Sequence, residues 1–397
     1  MRPESADPAA VRVLAISDTD SYLKWSTATL DALPRSWESD QVLITNPVMP
    51  SAAQIRAASS RPVEVLSQAE LVRRIRRQCP DVVLLACTGP VVAALTRKRI
   101  FWSRNRPVLV TGLPGISVPA TSRAVTARAA CDLFLLHSRR EIAEFAALGE
   151  PWTPRLRLAL ARLPFLPGDA PDEPVDVNER RKLIFAAQAK VPVDRAQREQ
   201  ILLALADAGS AVVKLRAYAE EQQTHKEAWS YPKIMADLVA QGRIRSDAVT
   251  FVNGSMQDVL SAARGFATVS STAALEAIAM DRPILILSDF GVSAEMINLV
   301  FEGSGCLGTL DDLRSGRFFR PDPRWLEANY FHRGHENDWL ERLDGLLAAR
   351  AVGPLPGRPR VPIPVARRLR HRLRLIIPAW LWSPLRRWQR AVGGRRS

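Results

Sequence analysis

Residues 266–292 read FATVSSTAALEAIAMDRPILILSDFGV, and this stretch has the pattern of one β-α-β unit. An apolar run is followed by three hydroxyl residues, a helical pattern and a second apolar run. The hydroxyl residues are Ser270, Ser271 and Thr272. They stand where a strand ends and a helix begins, and backbone N–H groups at such a place are available to an anion. The sequence therefore predicts an anion-binding turn here.

Similar units recur on both sides of an acidic, proline-containing stretch at 169–180, which we interpret as a linker. Strands are expected before it at 12–17, 41–45, 63–66, 81–85, 107–111 and 132–137. Strands are expected after it at 182–186, 211–215, 248–252, 266–269 and 283–287. Helical patterns between most of these runs indicate parallel strands. The sequence predicts an α/β protein whose two Rossmann-like domains, at 1–168 and 181–352, face a cleft, followed by a basic tail at 353–397.

The net charge of the 397 residues is +14, but the tail holds twelve arginines and no acidic residue, which leaves 14 − 12 = +2 for the rest. A nearly neutral body argues against a specific nucleic-acid partner. No apolar run approaches the ~20 residues of a membrane-spanning helix, and the first residues lack a signal-peptide core. The four cysteines have no CxxC spacing, so neither a disulfide framework nor a zinc site is indicated. We expect a cytosolic protein.

The tail combines its arginines with leucine, isoleucine and the tryptophans Trp380, Trp382 and Trp388. Arginines favour anionic headgroups, and indole rings favour the boundary between water and lipid. We therefore expect the tail to bind an anionic membrane surface and to place the protein at the inner face of the cell membrane. A disordered tail that binds any polyanion is the alternative.

The second half of the chain carries a family resemblance. The hydroxyl turn, a helix with Glu276 and a following Asp-Arg-Pro at 281–283 resemble bacterial capsule and surface-polysaccharide glycosyltransferases of the GT-B fold. The segments RVLAISDTDSYLKW, TGLPGISVPAT, CDLFLLHSRRE and THKE resemble an uncharacterised bacterial family of glycosyltransferases. The general likeness covers residues 12 to about 350. It implies transfer of a sugar from a nucleotide-sugar donor to a surface polysaccharide or a lipid-linked glycan, with the nucleotide sugar as substrate and no cofactor.

Such a donor carries phosphate charge that cations can hold. Lys214 and Arg216 end one predicted strand with side chains on the same face, and we expect them to contact the donor phosphates. His225 is a catalytic candidate that would help to hold the nucleotide, although the His-Pro pair that capsule-type sialyl and Kdo transferases place near here is missing. Further candidates for donor binding are Thr224, Glu227, Gly254, Ser255, Ser270, Ser271, Thr272 and Glu276.

The first half should supply the acceptor side. Asp18 and Asp20 follow the first predicted strand, and an inverting transferase needs a carboxylate there to deprotonate the acceptor hydroxyl. Either aspartate is a candidate base, and we expect one of the two to cap the helix that follows. Further candidates on the acceptor side are Ser17, Tyr22, Lys24, Thr88, Gly112 and Gly115.

Several motifs are missing from the sequence. Neither GxGxxG after the first strand nor GxxxxGK[ST] occurs, which argues against a dinucleotide dehydrogenase and a P-loop kinase. No DxD-type pair ends a predicted strand in the second half, so we expect a reaction without a metal. Three alternatives stay open, namely a nucleotide-sugar 2-epimerase, a CDP-polyol phosphotransferase and a non-catalytic scaffold of a polysaccharide assembly complex.

Overall fold

The computed structural model describes residues 10–47, 49–148, 156–164, 166, 182–215 and 229–357. These residues form two parallel sheets, one of seven strands and one of six, with helices between the strands. The predicted arrangement of two Rossmann-like α/β domains is confirmed. The predicted linker at 169–180 and the tail from residue 358 lie outside the described residues.

The first sheet has the strand order β3-β2-β1-β4-β5-β6-β7. Its strands are β1 (Arg12–Ser17), β2 (Glu38–Ile44), β3 (Glu64–Leu66), β4 (Val82–Ala86), β5 (Val108–Gly112), β6 (Leu133–Leu136) and β7 (Arg157–Leu160). The connecting helices are α1 (Asp20–Asp31), α2 (Ala52–Ala58), α3 (Gln68–Gln78), α4 (Gly89–Leu95), α5 (Ser122–Arg128) and α6 (Arg139–Leu148). Neighbouring residues of β1, such as Val13 and Leu14, belong to different apolar clusters, so both faces of the sheet are covered.

The second sheet has the strand order β10-β9-β8-β11-β12-β13. Its strands are β8 (Lys182–Ala186), β9 (Ala211–Lys214), β10 (Val249–Val252), β11 (Ala263–Thr268), β12 (Ile284–Leu287) and β13 (Leu307–Gly308). Its helices are α7 (Arg195–Ala208), α8 (Tyr231–Ala240), α9 (Met256–Ser261), α10 (Ala273–Ala279), α11 (Leu310–Arg314) and α12 (Pro323–Ala328). The short strands β7 and β13 were not predicted from the sequence.

Each sheet has one place where the strand order reverses, between β1 and β4 in the first sheet and between β8 and β11 in the second. At such a switch point the loops leave the strands in opposite directions and open a crevice at the carboxyl ends of the strands, where ligands of α/β sheets bind. The strand order alone therefore predicts two crevices, one in each sheet, as candidate ligand-binding sites.

The last described helix, α13 (Trp339–Val352), packs on the first sheet, although its residues lie within the predicted bounds of the second domain, 181–352. Trp339, Leu343 and Leu346 lie in the same apolar cluster as residues of β1 and β5. Beyond α13, the Arg106 guanidinium donates to the Pro356 carbonyl at 3.3 Å. This contact lies just before β5, at the end of the sheet opposite the crevice.

The two domains meet through a buried polar contact. The Tyr330 hydroxyl, which follows α12, donates to Glu141 Oε1 of α6 at 2.6 Å. The Ser117 N–H donates to the same oxygen at 2.9 Å, and nearby Val118 packs in a cluster made mostly of second-domain residues. Arg139 adds an ion pair with Glu327 at 2.8 Å. No helix in the described ranges is both long enough and apolar enough to cross a bilayer.

Candidate functional site

The crevice of the second sheet contains a set of charged side chains. Lys214, the last residue of β9, is 8% exposed, and its Nζ donates to the Leu215 carbonyl at 2.7 Å. Burial lowers the pKa of Lys214, and the charge of Glu276 acts in the opposite direction. Burial raises the pKa of Glu276, while the charges of Lys24 and Lys214 lower it. Glu276 of α10 is thus within electrostatic reach of one lysine from each domain.

The three hydroxyl residues before α10 have different surroundings. Ser270 is buried, and its Oγ donates to the Ile297 carbonyl at 2.5 Å. Ser271 Oγ accepts the Ala273 N–H at 3.2 Å, which stabilises the start of the helix. Thr272 already has helical backbone angles, and its side chain makes no capping bond. Ser270 therefore fixes the turn, while Ser271 and Thr272 are only half-buried.

Thr272 also marks where the two domains approach each other. A Cβ built on Gly115 of the first domain would lie 3.1 Å from Thr272 Oγ1. Gly115 belongs to the TGLPG segment that leaves β5. Because a larger residue would press on the threonine, a glycine allows the first-domain loop to come close to the hydroxyl turn. The structure thus brings together Gly115, Thr272, Lys24, Glu276 and Lys214.

The crevice of the first sheet differs, because the carboxylate of its aspartate, Asp18, is hydrogen-bonded to another residue of the same domain. Asp18 is fully buried at the end of β1. Its carboxylate accepts the Thr88 N–H at 3.0 Å to each oxygen, and the Thr88 hydroxyl also donates to it. These bonds join the ends of β1 and β4 across the switch point. Asp18 has a structural role here, which differs from its predicted position as a base facing the cleft.

Thr19, and neither aspartate, caps α1, since its side chain accepts the Tyr22 N–H at 3.4 Å. The prediction that Asp18 or Asp20 caps this helix is therefore wrong. Asp20 is the first residue of α1 and is half-buried, and Lys24 one turn later is exposed. These two side chains are the first-domain candidates that remain accessible, together with half-buried Thr88.

Three other residues assigned to the acceptor side lie in the core. The Ser17 hydroxyl is 2.9 Å from that of Ser26. The Tyr22 hydroxyl accepts a hydrogen bond from Arg128 at 2.9 Å, and burial raises the pKa of Tyr22 to about 12. A Cβ on Gly112 would lie 2.3 Å from the Trp25 ring, so this glycine is required for packing. These residues support the strand ends and do not form an open acceptor surface.

His137, which follows β6, is also buried among polar partners. Its Nε2 accepts the Trp25 indole N–H at 2.9 Å, and its Nδ1 lies 2.8 Å from the Ala161 carbonyl. Burial lowers the pKa of His137 to about 4, and its contacts with backbone carbonyls only partly offset this. The ring is therefore neutral at pH 7 and supports the fold.

Four predicted donor residues, Arg216, Thr224, His225 and Glu227, lie outside the described residues. Gly254 and Ser255 are exposed after β10, and Gly254 has a φ of +106°, which favours glycine. The described residues contain no group of three or more His, Cys, Asp or Glu side chains that could hold a metal ion. Reaction without a metal stays a prediction.

The turn after β8 was not among the residues predicted to form the site. Residues 187–190, AQAK, leave this strand directly beside the switch point, and Lys190 is exposed. The segment has no hydroxyl run or paired charge that would single it out. Its position after the first strand of the second domain was the signal that could have identified it.

The sequence matches a known family over most of its length. The family described as "Putative glycosyltransferase (DUF6716)" matches residues 13–346. The chain belongs to this family. No curated protein matches its sequence.

Solved structures of other proteins are similar to this chain, and two of them reach a TM-score of at least 0.50. A structure of MnaA from S. aureus with UDP has a TM-score of 0.52 and 12% identity, covering 86% of this chain and 95% of the other. A UDP-GlcNAc 2-epimerase from Neisseria meningitidis, bound to UDP-GlcNAc, has a TM-score of 0.50 and 10% identity, covering 86% and 100%. Anabaena HepE, in complex with UDP and glucose, has a TM-score of 0.49 and 14% identity, covering 86% and 99%. The fold is of the GT-B type, with two parallel α/β domains.

Proposed function

We propose that the protein transfers a sugar from a nucleotide-sugar donor to an acceptor hydroxyl. The match of residues 13–346 to a glycosyltransferase family carries this proposal. The charged crevice of the second sheet supports it, because Lys214 and the N–H groups of the nearby turns suit an anionic diphosphate. Two of the proteins that share the fold are bound to UDP or UDP-GlcNAc, which favours a nucleotide-sugar donor.

On the donor side, Lys214 stabilises the charge that develops on the departing nucleotide as the glycosidic bond breaks. Its ammonium group takes the place of a metal ion. Glu276 accepts hydrogen bonds from sugar or ribose hydroxyls, and the charge of Lys24 helps to keep it ionised. Ser271 and Thr272 offer hydroxyl groups at the edge of the same crevice.

On the acceptor side, Asp20 is the base of an inverting reaction. It stands at the start of α1, one turn before Lys24, whose charge acts on Glu276 across the cleft. Its carboxylate takes the proton from the acceptor hydroxyl as that oxygen attacks the anomeric carbon. Asp20 is preferred to Asp18, because the Asp18 carboxylate is already bound by Thr88.

Exchange of Asp20 for asparagine tests this role. Asp20→Asn should slow sugar transfer at least about 100-fold and leave nucleotide affinity unchanged, since a general base acts only on the chemical step. The matched control is Asp31→Asn, which changes an exposed aspartate at the other end of the same helix. If Asp20→Asn and Asp31→Asn transfer sugar equally fast, Asp20 is not the base.

The acceptor in this proposal is a surface polysaccharide or a lipid-linked glycan at the inner face of the cell membrane. The arginines and tryptophans of the tail support this, at about 1 kcal/mol for each basic residue near an anionic leaflet. A truncation after Gly357 keeps buried Leu355 and the Arg106 contact with Pro356. This variant should bind nucleotide normally but should no longer sediment with vesicles of anionic phospholipid. Sedimentation equal to that of the full chain would rule out the tail as the membrane-binding segment.

A nucleotide-sugar 2-epimerase is the second candidate, favoured by the N. meningitidis epimerase that shares the fold. A panel of UDP-, GDP-, CDP- and CMP-sugars, followed by thermal shift, identifies the nucleotide. The preferred sugar is then incubated with and without an extract of lipid-linked glycans. Glycosyl transfer predicts nucleotide release that depends on the extract, whereas an epimerase converts the sugar without it. If no nucleotide shifts the unfolding temperature, both candidates fail.

A further inference from the structure

Arg198 of α7 is one of the most deeply buried charged side chains among the described residues, with 1% exposure. Its guanidinium donates to four backbone carbonyls of two separate segments. The acceptors are Gln188 at 3.0 Å, Ala189 at 3.1 Å, Pro192 at 2.8 Å and Trp229 at 2.6 Å. The same group lies over the Tyr231 ring, 4.9 Å from its centroid.

Both segments belong to the carboxyl edge of the second sheet. Residues 187–192 form the turn that leaves β8 beside the switch point. Trp229 precedes α8 and thus lies on the connection that begins after Lys214 of β9. Arg195, one turn before Arg198, adds a second contact, because its guanidinium lies 5.2 Å from the centroid of the Trp229 ring. Arg195 and Arg198 on one face of α7 therefore contact Trp229 just before α8, and Arg198 also contacts the turn that follows β8.

Arginine suits this position for a physical reason. Its planar group presents five N–H donors in a fixed fork, which can serve several carbonyls at once. A lysine ammonium has three donors on a flexible stem and cannot reproduce that geometry. Burying a charge is costly unless its hydrogen bonds are made, so the four carbonyls and the guanidinium fix one another.

We propose that Arg198 is a positioning residue for nucleotide binding, which holds the turn 187–192 and Trp229 in the arrangement that the donor needs. This inference rests on the proposed nucleotide-sugar transfer. A loop that is ordered before the ligand arrives loses less conformational entropy on binding. In this proposal Arg198 does not contact the nucleotide sugar, since its N–H groups are directed to backbone carbonyls of the protein.

Arg198→Lys tests the proposal, with Arg282→Lys as the matched control. Arg282 is buried in the same domain and donates to the Leu260 carbonyl at 3.0 Å, but it precedes β12 at the opposite edge of the sheet. Binding of the nucleotide found in the panel is measured by calorimetry, well below the unfolding temperature of each variant. Amide hydrogen exchange of peptides that cover 187–192 and residue 229 is measured on the same samples.

We expect Arg198→Lys to bind the nucleotide about tenfold more weakly and to exchange faster in those two peptides, while Arg282→Lys keeps the wild-type affinity. Equal affinity of Arg198→Lys and wild type would overturn the inference, and so would an equal loss in Arg282→Lys. If wild type binds no nucleotide, the proposed function fails and the inference fails with it.

Should Arg198→Lys not fold, Trp229→Ala replaces it, because the Trp229 side chain is 36% exposed. It should weaken binding about threefold by removing the stacking on Arg195, and unchanged affinity would then overturn the inference.

Discussion

The two crevices of this protein have the same topology and different chemistry. Between β1 and β4, the Asp18 carboxylate is buried and bound by Thr88, and Tyr22 is buried nearby. At the carboxyl ends of the second sheet, by contrast, Lys214 of β9 and Glu276 of α10 influence each other electrostatically, and Thr272 is half-buried beside a loop of the other domain. Polar groups that bind one another hold the first crevice together, whereas in the second crevice a lysine and a glutamate of opposite charge act on each other, and we propose that they bind the donor.

The largest effect that this comparison predicts is on stability, at the first crevice. Asp18→Ala removes the buried acceptor of the Thr88 N–H and hydroxyl, so these two half-buried donors lose that acceptor. The free energy of unfolding, measured in urea, should fall by about 3 kcal/mol. Asp18→Asn keeps one acceptor oxygen and should lose less. Nucleotide affinity of the folded variants should stay the same, and a selective loss of that affinity would contradict the comparison.

The neutral state of His137 predicts how the first domain responds to acid. Burial lowers the pKa of His137 to about 4, so the unfolded chain, with a histidine pKa of about 6.5, binds more protons in between. The contribution of neutral His137 to the free energy of unfolding is fully present above pH 6.5 and is lost as the pH falls toward 4. Between pH 7 and 5 the loss should be about 2 kcal/mol.

Urea unfolding of wild type and His137→Gln at both pH values measures this contribution. Between pH 7 and 5, the free energy of unfolding of His137→Gln should fall by less than that of wild type, because glutamine does not titrate. This difference does not depend on how stable the variant is at pH 7. Parallel losses in the two proteins would show that the pKa of His137 is not lowered in the folded state.

The sequence was sufficient to predict the alternation that defines both sheets. Strands such as β1 and β8 were predicted within their observed bounds, because continuous apolar runs next to helical patterns have few other solutions. It was not sufficient for β13, where two residues give no pattern. It also did not show that α13 returns to the first sheet, since its apolar residues could cover either domain and only tertiary packing decides between them.

The site was predictable in part, for a similar reason. Lys214 ends one strand and the hydroxyl turn follows another, and the position of a strand end can be inferred from sequence. Asp18 also follows a strand end, but the bond that occupies it comes from Thr88, seventy residues away. Sequence pattern gives the type and position of a polar side chain, while its partner depends on which strands become neighbours.

A smaller effect on stability is expected at the buried hydrogen bond between the two domains. Tyr330→Phe removes a hydroxyl that donates to buried Glu141, and burial already raises the pKa of that carboxyl group. The free energy of unfolding should fall by about 1.5 kcal/mol. Tyr231→Phe is the control, a buried tyrosine within the second domain. If the interdomain bond orients the domains, scattering in solution should show a wider distribution of shapes for Tyr330→Phe than for Tyr231→Phe.

The smallest effect in free energy is the one that most directly tests the second crevice. Lys214→Met keeps the length and apolar contacts of the side chain but removes its charge, and nucleotide affinity should fall about tenfold, or about 1.4 kcal/mol. Because burial lowers the pKa of Lys214, wild type should lose this part of its affinity as the pH rises, at a lower pH than an ordinary lysine would require. Lys214→Met should lack that pH dependence, whereas Lys182→Met, at the opposite end of β8, should behave as wild type. An affinity that Lys214→Met leaves unchanged would mean that the charge of the second crevice serves the fold, as that of the first does.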